Sequence, residues 1–136
     1  QDETGAIGGW EKSALRTYLR DIVKPLIPDE VRHRLRMVCK TQSAHNTEGT
    51  RFDQTTEDDV WLLSYEECYG KQATYYTLFE HKNENRIKYR VGSSSASRWW
   101  LRSSSTVNGF YYLEANGVSG SYESDSSHGI ALGFCT

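Results

Sequence analysis

Apolar side chains near the start of the chain recur at the spacing of an amphipathic helix. The positions that repeat in this way are Leu15, Tyr18, Leu19, Ile22 and Val23. Residues at this spacing share one helix face, which predicts a helix over about 11–23. Pro25 and Pro28 are expected to break that helix. Asp29 and Glu30 suit the first turn of a short second helix, because the N-terminal end of the helix dipole favours acidic side chains.

The middle of the chain alternates between short apolar runs and polar stretches. Residues 35–41 and the apolar run at 60–63 each predict a strand. Residues 42–58 are rich in Thr, Asn, Gln and Asp and show no sustained period, which predicts a long surface connection. Ser64 and Glu67 have the spacing of a capping box, so a helix is expected to begin directly after the second strand.

Short apolar runs separated by turn residues characterise the last part of the chain. Candidate strands lie at 99–103, 110–113 and 130–134. Because helices come first and strands later, the order favours an α+β fold in which N-terminal helices accompany a twisted antiparallel sheet with long loops. With 136 residues and no internal repeat, residues 1–136 are expected to form a single domain.

Charge and hydropathy exclude some classes of partner. The formal net charge is −2, so the chain lacks the basic excess that favours binding to nucleic acid. No apolar run reaches the ~20 residues that span a bilayer, so direct membrane insertion is not expected. The sequence begins at Gln1 rather than Met, which suggests a mature product or a piece of a longer protein, and the missing signal peptide does not exclude export.

The reactive and metal-binding residue types do not form a recognisable catalytic or metal motif. Three cysteines, Cys39, Cys68 and Cys135, are too few and too scattered for a disulfide framework, and buried thiols are the simplest interpretation. The histidines lack metal-ligand spacing; they are His33, His45, His81 and His128. The sequence therefore predicts a protein without catalytic residues, metal or cofactor.

A stretch rich in Ser, Tyr, Asn and Gly occupies residues 103–128. Tyr offers a large contact area with little rotamer entropy to lose, while Ser and Asn offer adaptable hydrogen bonds, as in antibody paratopes. An ordinary set of Ser/Gly-rich hairpin loops is the alternative. Apolar residues recur within and around the stretch, which favours exposed structure on a fixed scaffold. The residues expected to contact a ligand are Ser104, Ser105, Asn108, Tyr111, Tyr112, Asn116, Ser119, Tyr122, Asp125 and His128.

The run Trp99-Trp100-Leu101-Arg102-Ser103 resembles the WWLRS signature of bacterial and phage surface domains with a C-type lectin fold. Segments 9–19, 60–64 and 129–135 resemble, in the same order, that family's opening helix, its central LLS strand and its closing strand. The chain departs from the family at Ala131-Leu132, where Arg-Pro is common. The resemblance covers nearly the whole chain and implies a C-type-lectin-like fold.

Variable proteins of diversity-generating retroelements share that fold, and their C-terminal segment is diversified for receptor binding. The resemblance therefore implies a similar binding role for residues 104–128. It also implies a protein or glycan partner on another cell or surface, and a location that is extracellular, on a cell surface or on a virion.

Alternation along the WWLRS strand predicts which side chains are structural. Trp99 and Leu101 should face one way and Trp100 and Arg102 the other, so one Trp is expected in the core and the second partly exposed. Arg102 is expected to pair with a buried carboxylate or backbone carbonyls rather than with a ligand. Ser103 is expected to be structural because it adjoins this strand.

Three alternative functions stay open. A static carbohydrate-binding lectin that holds Ca²⁺ would use nearby oxygens such as those of Glu114 and Asn116, but the Glu-Pro-Asn and Trp-Asn-Asp patterns of such lectins are absent. An enzyme of the formylglycine-generating type would act through cysteines, for which Cys68 and Cys135 are the candidates. An assembly or tip component of a phage fibre or pilus is compatible with a binding face.

Overall fold

A computed structural model of the chain describes residues 6–70, 76–79, 83–123 and 126–136. In this part of the chain, short helices combine with strands that pair antiparallel, which confirms the predicted α+β class. The helices lie mainly before the strands, and one of them connects the N-terminal hairpin to the C-terminal sheet.

The N-terminal helical region begins at Trp10 and ends at Leu26, close to the predicted limits of 11–23. A 3₁₀ turn, Trp10–Lys12, precedes α1 (Ala14–Tyr18), which continues as a π-helical segment, Leu19–Val23, and a 3₁₀ turn, Lys24–Leu26. Pro25 lies at the beginning of that last turn, where its missing N–H is tolerated. The predicted second helix is confirmed as α2 (Asp29–Arg32).

Residues 42–58, predicted to form a surface connection, instead belong to a β-hairpin. Strand β1 (Val38–His45) pairs antiparallel with β2 (Arg51–Asp58) along its whole length. The prediction was wrong because the buried positions of β2 are polar: Gln54, Thr56 and Asp58 alternate with exposed residues. A search for apolar periodicity cannot detect a strand whose buried face carries amides, hydroxyls and a carboxylate.

The polar face of this hairpin is satisfied by the N-terminal segment. Trp10 Nε1 donates to Asp58 Oδ2 at 3.1 Å, and Arg16 Nε donates to Asp58 Oδ1 at 2.7 Å. Gln54 Nε2 donates to the carbonyl of Gly8 at 2.9 Å, and its Oε1 accepts from the N–H of Glu11 at 3.0 Å. Because buried polar groups are costly unless they are paired, these bonds fix the helices on the hairpin.

A short strand and a capped helix follow the hairpin. Strand β3 (Trp61–Leu62) leads into α3 (Tyr65–Tyr69), and the predicted capping box is confirmed. Ser64 Oγ accepts from Glu67 N at 3.1 Å, and Glu67 Oε2 accepts from Ser64 N at 2.8 Å.

A three-stranded sheet dominates the C-terminal part. After the small hairpin of β4 (Lys88–Tyr89) and β5 (Ala96–Ser97) come β6 (Trp99–Thr106), β7 (Gly109–Leu113) and β8 (Ser119–Glu123). The sheet order is β6-β7-β8. The predicted strands at 99–103 and 110–113 are therefore confirmed, whereas β4, β5 and β8 were not predicted. The last candidate, 130–134, contains β9 (Leu132–Gly133), which pairs with β3.

Strand β6 separates two apolar clusters. Trp99 and Leu101 pack with Cys68, Phe79 and Leu113 on one side. On the other side, Trp100 belongs to a cluster with Trp10, Trp61, Phe110 and Tyr112, among others. The predicted alternation of side chains is confirmed, but the partial exposure expected of one Trp is wrong, since Trp99 is 1% and Trp100 5% exposed.

Arg102 is the centre of a buried hydrogen-bond network, in agreement with the sequence expectation. Its guanidinium donates to Glu67 Oε2 at 2.6 Å and to the Leu62 carbonyl at 2.6 Å. It also donates to Gln42 Oε1 at 2.9 Å and to the Thr41 carbonyl at 3.2 Å. This arginine therefore joins β1, β3, α3 and β6.

Two contacts connect distant parts of the chain. The N–H of Ala6 donates to the carbonyl of Val107 at 2.9 Å, and Ser43 Oγ donates to the carbonyl of Ser104 at 2.8 Å.

Among the described residues, none of the helices has both the length and the apolar character needed to cross a bilayer.

Candidate recognition surface

The ten residues expected to contact a ligand do not form one continuous face. The structure places them in the interior, on a half-buried surface of β7 and β8, in two turns, and beside the segment before β9. Asp125 lies outside the described residues, and of Tyr122 only the backbone is described, on β8 opposite Phe110.

Ser104 lies in the interior, so its assignment to the exposed face was wrong. It is 1% exposed, and its Oγ lies 2.8 Å from Nδ1 of His45, which is itself 9% exposed. Burial is the main cause that lowers the pKa of His45, with a further contribution from the charge of Arg51. This pair joins the first hairpin to the C-terminal sheet.

Tyr112 is also interior, against the expectation of an exposed contact. The side chain is 4% exposed and packs edge-on against Trp100, with ring centroids 6.2 Å apart. A Cβ on Gly120, its neighbour on β8, would lie 2.4 Å from the Tyr112 ring. The Tyr112 ring therefore occupies the space that a side chain at position 120 would need. The Tyr112 hydroxyl donates to Glu114 Oε1 at 2.8 Å.

Three of the predicted residues lie on a surface that we term the tyrosine–serine patch, consisting of Tyr65, Tyr69, Tyr111, Ser105, Ser119 and Ser121. Tyr65 stacks on Tyr69, with ring centroids 5.2 Å apart, and it also contacts Tyr111, with ring centroids 4.5 Å apart. All three tyrosines are half-buried and pack against the cluster beneath β6. One side of each tyrosine is thus supported by the core, while part of it faces solvent.

The serines of the patch border these rings. Ser121 lies opposite Tyr111 on the neighbouring strand and is exposed, and Ser119 is half-buried at the start of β8. Ser105 Oγ hydrogen-bonds to Ser121 Oγ and donates to the Gly109 carbonyl at 3.1 Å. Large rings beside small hydroxyl side chains provide apolar contact area together with adaptable donors and acceptors.

The electrostatics of the patch favour neutral hydrogen bonding over proton transfer. Its six side chains carry no formal charge near neutral pH. Burial raises the pKa of Tyr69, and this effect exceeds the opposing influence of the Arg86 guanidinium, which lies 4.0 Å from the ring centroid. The Tyr69 hydroxyl, which donates to the Gly117 carbonyl, therefore stays protonated.

The two predicted asparagines lie in separate turns. Asn108 is exposed between β6 and β7, and Asn116 is exposed between β7 and β8, so they lie beyond opposite ends of β7. Asn116 Oδ1 accepts from the N–H of Val118 at 3.1 Å. The Glu114 carboxylate is engaged by Tyr112 and by Arg98, whose Nε lies 2.6 Å from it. In the described part of the chain, no three His, Cys, Asp or Glu side chains are grouped closely enough to hold a metal ion.

His128 is half-buried between two aromatic side chains. Its ring centroid lies 4.4 Å from that of Trp100 and 4.7 Å from that of Tyr112. Burial is the largest cause that lowers its pKa. His128 also lines two neighbouring concavities, one against α1 and one against the β4–β5 hairpin.

The cysteines differ in exposure. Cys68 is fully buried, and burial raises the pKa of its thiol to about 12. Since the thiolate is the nucleophile, a thiol held protonated in this way is unsuited to nucleophilic attack. Cys39 and Cys135 are exposed, so the expectation of buried thiols holds only for Cys68.

Sequence reasoning missed Tyr65, Tyr69 and Ser121 as surface partners of Tyr111. The sequence does contain a signal for Tyr65 and Tyr69. The capping box at Ser64 begins a helix, and the two tyrosines are four positions apart on it, so they share a face. No local signal places that helix against β7, because this contact depends on the tertiary fold.

A family model described as "Domain of unknown function (DUF6273)" matches residues 2–135. Comparison with curated proteins and with solved structures gives no match. The family match includes the helical region, the hairpin and the three-stranded sheet that carries the tyrosine–serine patch.

Proposed function

We propose that this chain, which belongs to the DUF6273 family, is a non-enzymatic recognition domain that binds a protein or glycan on another cell or surface. The tyrosine–serine patch is the binding surface in this proposal, and it replaces the broader face of residues 104–128. The observation that carries the proposal is the contact of Tyr65 with both Tyr69 and Tyr111, beside three serines.

The tyrosine rings of the patch are already held in place before a ligand arrives. Tyr65 and Tyr111 pack on the core cluster that contains Trp99 and Leu101, so their rings lose little conformational freedom on binding. The hydroxyl groups of Ser105, Ser119 and Ser121 can donate or accept. Such a surface gains affinity from aromatic contact area and from several modest hydrogen bonds.

The finer part of the proposal is a C-type-lectin-like fold and a role similar to that of the variable proteins of diversity-generating retroelements. The resemblance of residues 99–103 to the WWLRS signature supports it, as does the burial of that run. Trp99, Trp100, Leu101 and Arg102 are all at most 5% exposed. A strand that is buried in this way can keep the fold stable while the exposed residues of the neighbouring strands are substituted.

Sequencing this gene from many related isolates tests the diversified-surface proposal. We expect substitutions to concentrate at Ser105, Tyr111, Ser119 and Ser121, with Tyr, Ser, Asn and Asp exchanged for one another. Trp99 and the buried Tyr112 should be constant. Substitutions spread evenly over buried and exposed positions of residues 104–128 would contradict the proposal.

Binding to intact cells tests the patch directly. A fluorescent, multimerised domain should stain some members of a panel of bacterial and animal cells, and Tyr111→Ser should lower that staining about tenfold or more, as loss of a hot-spot aromatic does. Tyr18→Ser is the matched control, because Tyr18 is a 48% exposed tyrosine on α1, outside the patch. Thermal unfolding of both variants establishes that they remain folded. Equal staining by the two variants would refute the assignment.

A further inference from the structure

A cleft with basic side chains lies between the β4–β5 hairpin and the segment before β9. Its volume is about 750 Å³, which is enough for one or two sugar rings. The hairpin supplies one wall, from Lys88 to Val91 and from Ala96 to Ser97, while residues 127–130 supply the opposite wall. None of these elements contributes to the tyrosine–serine patch.

The charge of the cleft has one sign. Three cations line it, Lys88, Arg90 and Arg98, and none of the described residues that line it is acidic. Arg98 is already paired with Glu114 at 2.6 Å. Lys88 and Arg90 have no carboxylate partner among the residues that the structure describes. For a chain with a net charge of −2, this is a local excess of positive charge that a small anion can neutralise.

Two aromatic rings lie near the ammonium group of Lys88. Its Nζ lies 5.8 Å from the Phe79 ring centroid and 6.0 Å from that of Trp99, within reach of a cation–π interaction. Lys88 is half-buried at the cleft and Arg90 is exposed two residues further on, so both cations are within reach of an anion that enters the cleft.

Two further features of the lining suit a sugar ring. Tyr89 is 62% exposed, so its ring is accessible to the apolar face of a saccharide. Ser97 and Ser127 bring hydroxyl groups to opposite walls of the cleft. A cation pair, an accessible aromatic ring and hydroxyl groups together match the chemistry of a saccharide that carries a carboxylate or a sulfate.

We infer that this cleft binds an acidic saccharide, with Lys88 and Arg90 as the anion-binding side chains and Tyr89 as the stacking surface. The site goes beyond the proposed function, because it is a second site of different chemistry. A nucleic acid fits less well, since phosphate chains are bound by long tracks of cations, whereas the cleft is short.

Calorimetric titration with matched sugars tests the inference. The probes are galacturonic acid and galactose 6-sulfate, with galactose as the neutral counterpart and inorganic sulfate as the anion without a sugar. We expect both acidic sugars to bind, galactose to give no heat, and inorganic sulfate to bind at least about tenfold more weakly than galactose 6-sulfate. Raising the salt from about 50 mM to about 300 mM should weaken binding of both acidic sugars.

Charge-matched variants separate the cleft from the general charge of the protein. The double variant Lys88→Gln/Arg90→Gln should weaken binding of the acidic sugars about tenfold or more. Arg34→Gln/Arg36→Gln removes the same charge from two exposed arginines that do not line the cleft, and it should leave binding unchanged. Tyr89→Ser should weaken binding of galactose 6-sulfate but not of inorganic sulfate.

Four results would overturn the inference. Galactose binding as tightly as galacturonic acid would remove the role of the anion. Inorganic sulfate binding as tightly as galactose 6-sulfate would remove the role of the sugar. No binding of either acidic sugar, or equal loss in the two double variants, would remove the site itself.

Discussion

Strands β6 and β8 flank the same strand, β7, yet their side chains differ greatly in burial. The first six residues of β6 are buried, and its two faces pack on two separate apolar clusters. Strand β8 is the outer strand on the other side of β7, with Ser121 exposed and Ser119 half-buried. A single sheet therefore holds a buried strand and a partly exposed strand on either side of β7, and we expect the two to differ in how much change they tolerate.

The largest effect is expected from breaking the buried network of β6. Arg102→Met leaves the Thr41 and Leu62 carbonyls and the Gln42 amide oxygen without their donor, and removes one cation from Glu67. We expect the free energy of unfolding to fall by about 3–5 kcal/mol, as when one partner of a buried ion pair is lost. Urea denaturation measures it, with Arg20→Met, from an exposed ion pair, as the control. Equal stability of the two variants would contradict the prediction.

A smaller loss is expected at Gly120, a constrained position of β8. Gly120→Ala places a Cβ 2.4 Å from the Tyr112 ring, which must then shift against Trp100. Overpacking of this kind costs about 1–3 kcal/mol. Urea denaturation of Gly120→Ala and Ser121→Ala compares two neighbours on one strand. If both variants are as stable as the parent protein, Tyr112 is not confined by β8.

Acid should weaken the contact between β6 and the first hairpin. The folded-state pKa values of His45 and His128 lie below their ordinary value of 6.5. As the pH falls through about 6.5, the unfolded chain takes up protons that the folded chain does not, so the free energy of unfolding decreases. The stabilisation is fully present above that pH. Thermal unfolding from pH 8 to pH 5 should show a falling Tm, by less than the effect of Gly120→Ala.

Histidine variants identify the source of that pH dependence. His45→Gln/His128→Gln should flatten the Tm profile between pH 8 and pH 5, whereas His33→Gln, at an exposed histidine, should not. Glu67 and Glu114 do not interfere in this range, because their pKa values are lowered from 4.5. A profile that stays steep in the double variant would assign the effect to other groups.

The smallest effect is expected at Ser121. Exchanging it for Asn or Tyr removes the hydrogen bond to Ser105 Oγ but no packed group, because the side chain faces solvent. Surface changes of this kind usually stay within about 0.5 kcal/mol. Urea denaturation of Ser121→Asn and Ser121→Tyr provides the measurement. A loss as large as that of Gly120→Ala would show that β8 does not tolerate change at this exposed position.

The sequence predicts this molecule best where local physics decides the outcome. The helical spacing around Leu19, the capping box at Ser64 and the alternation in β6 each depend on neighbouring residues, and the structure confirms them. Arg102 was placed correctly because a buried arginine needs carboxylate or carbonyl acceptors. The strand predicted at 35–41 covers only the first half of β1, and β2 was missed because its buried face is polar and its partners are as distant as Trp10.

The candidate site was predicted in composition but not in shape. Residues 104–128 contain both interior positions, such as Ser104 and Tyr112, and exposed ones, such as Asn108. Which residue falls in which class depends on the long-range packing of α3 and the first hairpin against the sheet. The predicted stretch therefore supplies Tyr and Ser residues to the tyrosine–serine patch. The patch also contains Tyr65 and Tyr69, which lie on α3.

The hydrogen bond from Ala6 to Val107 has a consequence for how the protein is made. A ribosome adds about 5–20 residues per second, so Ala6 waits on the order of ten seconds for its acceptor to be synthesised. Strand β3 also waits for its partner, because β9 is synthesised only after the three-stranded sheet. During this interval the nascent chain carries Trp10 and Trp61 without their complete packing. Both side chains complete their packing only after the three-stranded sheet has been synthesised.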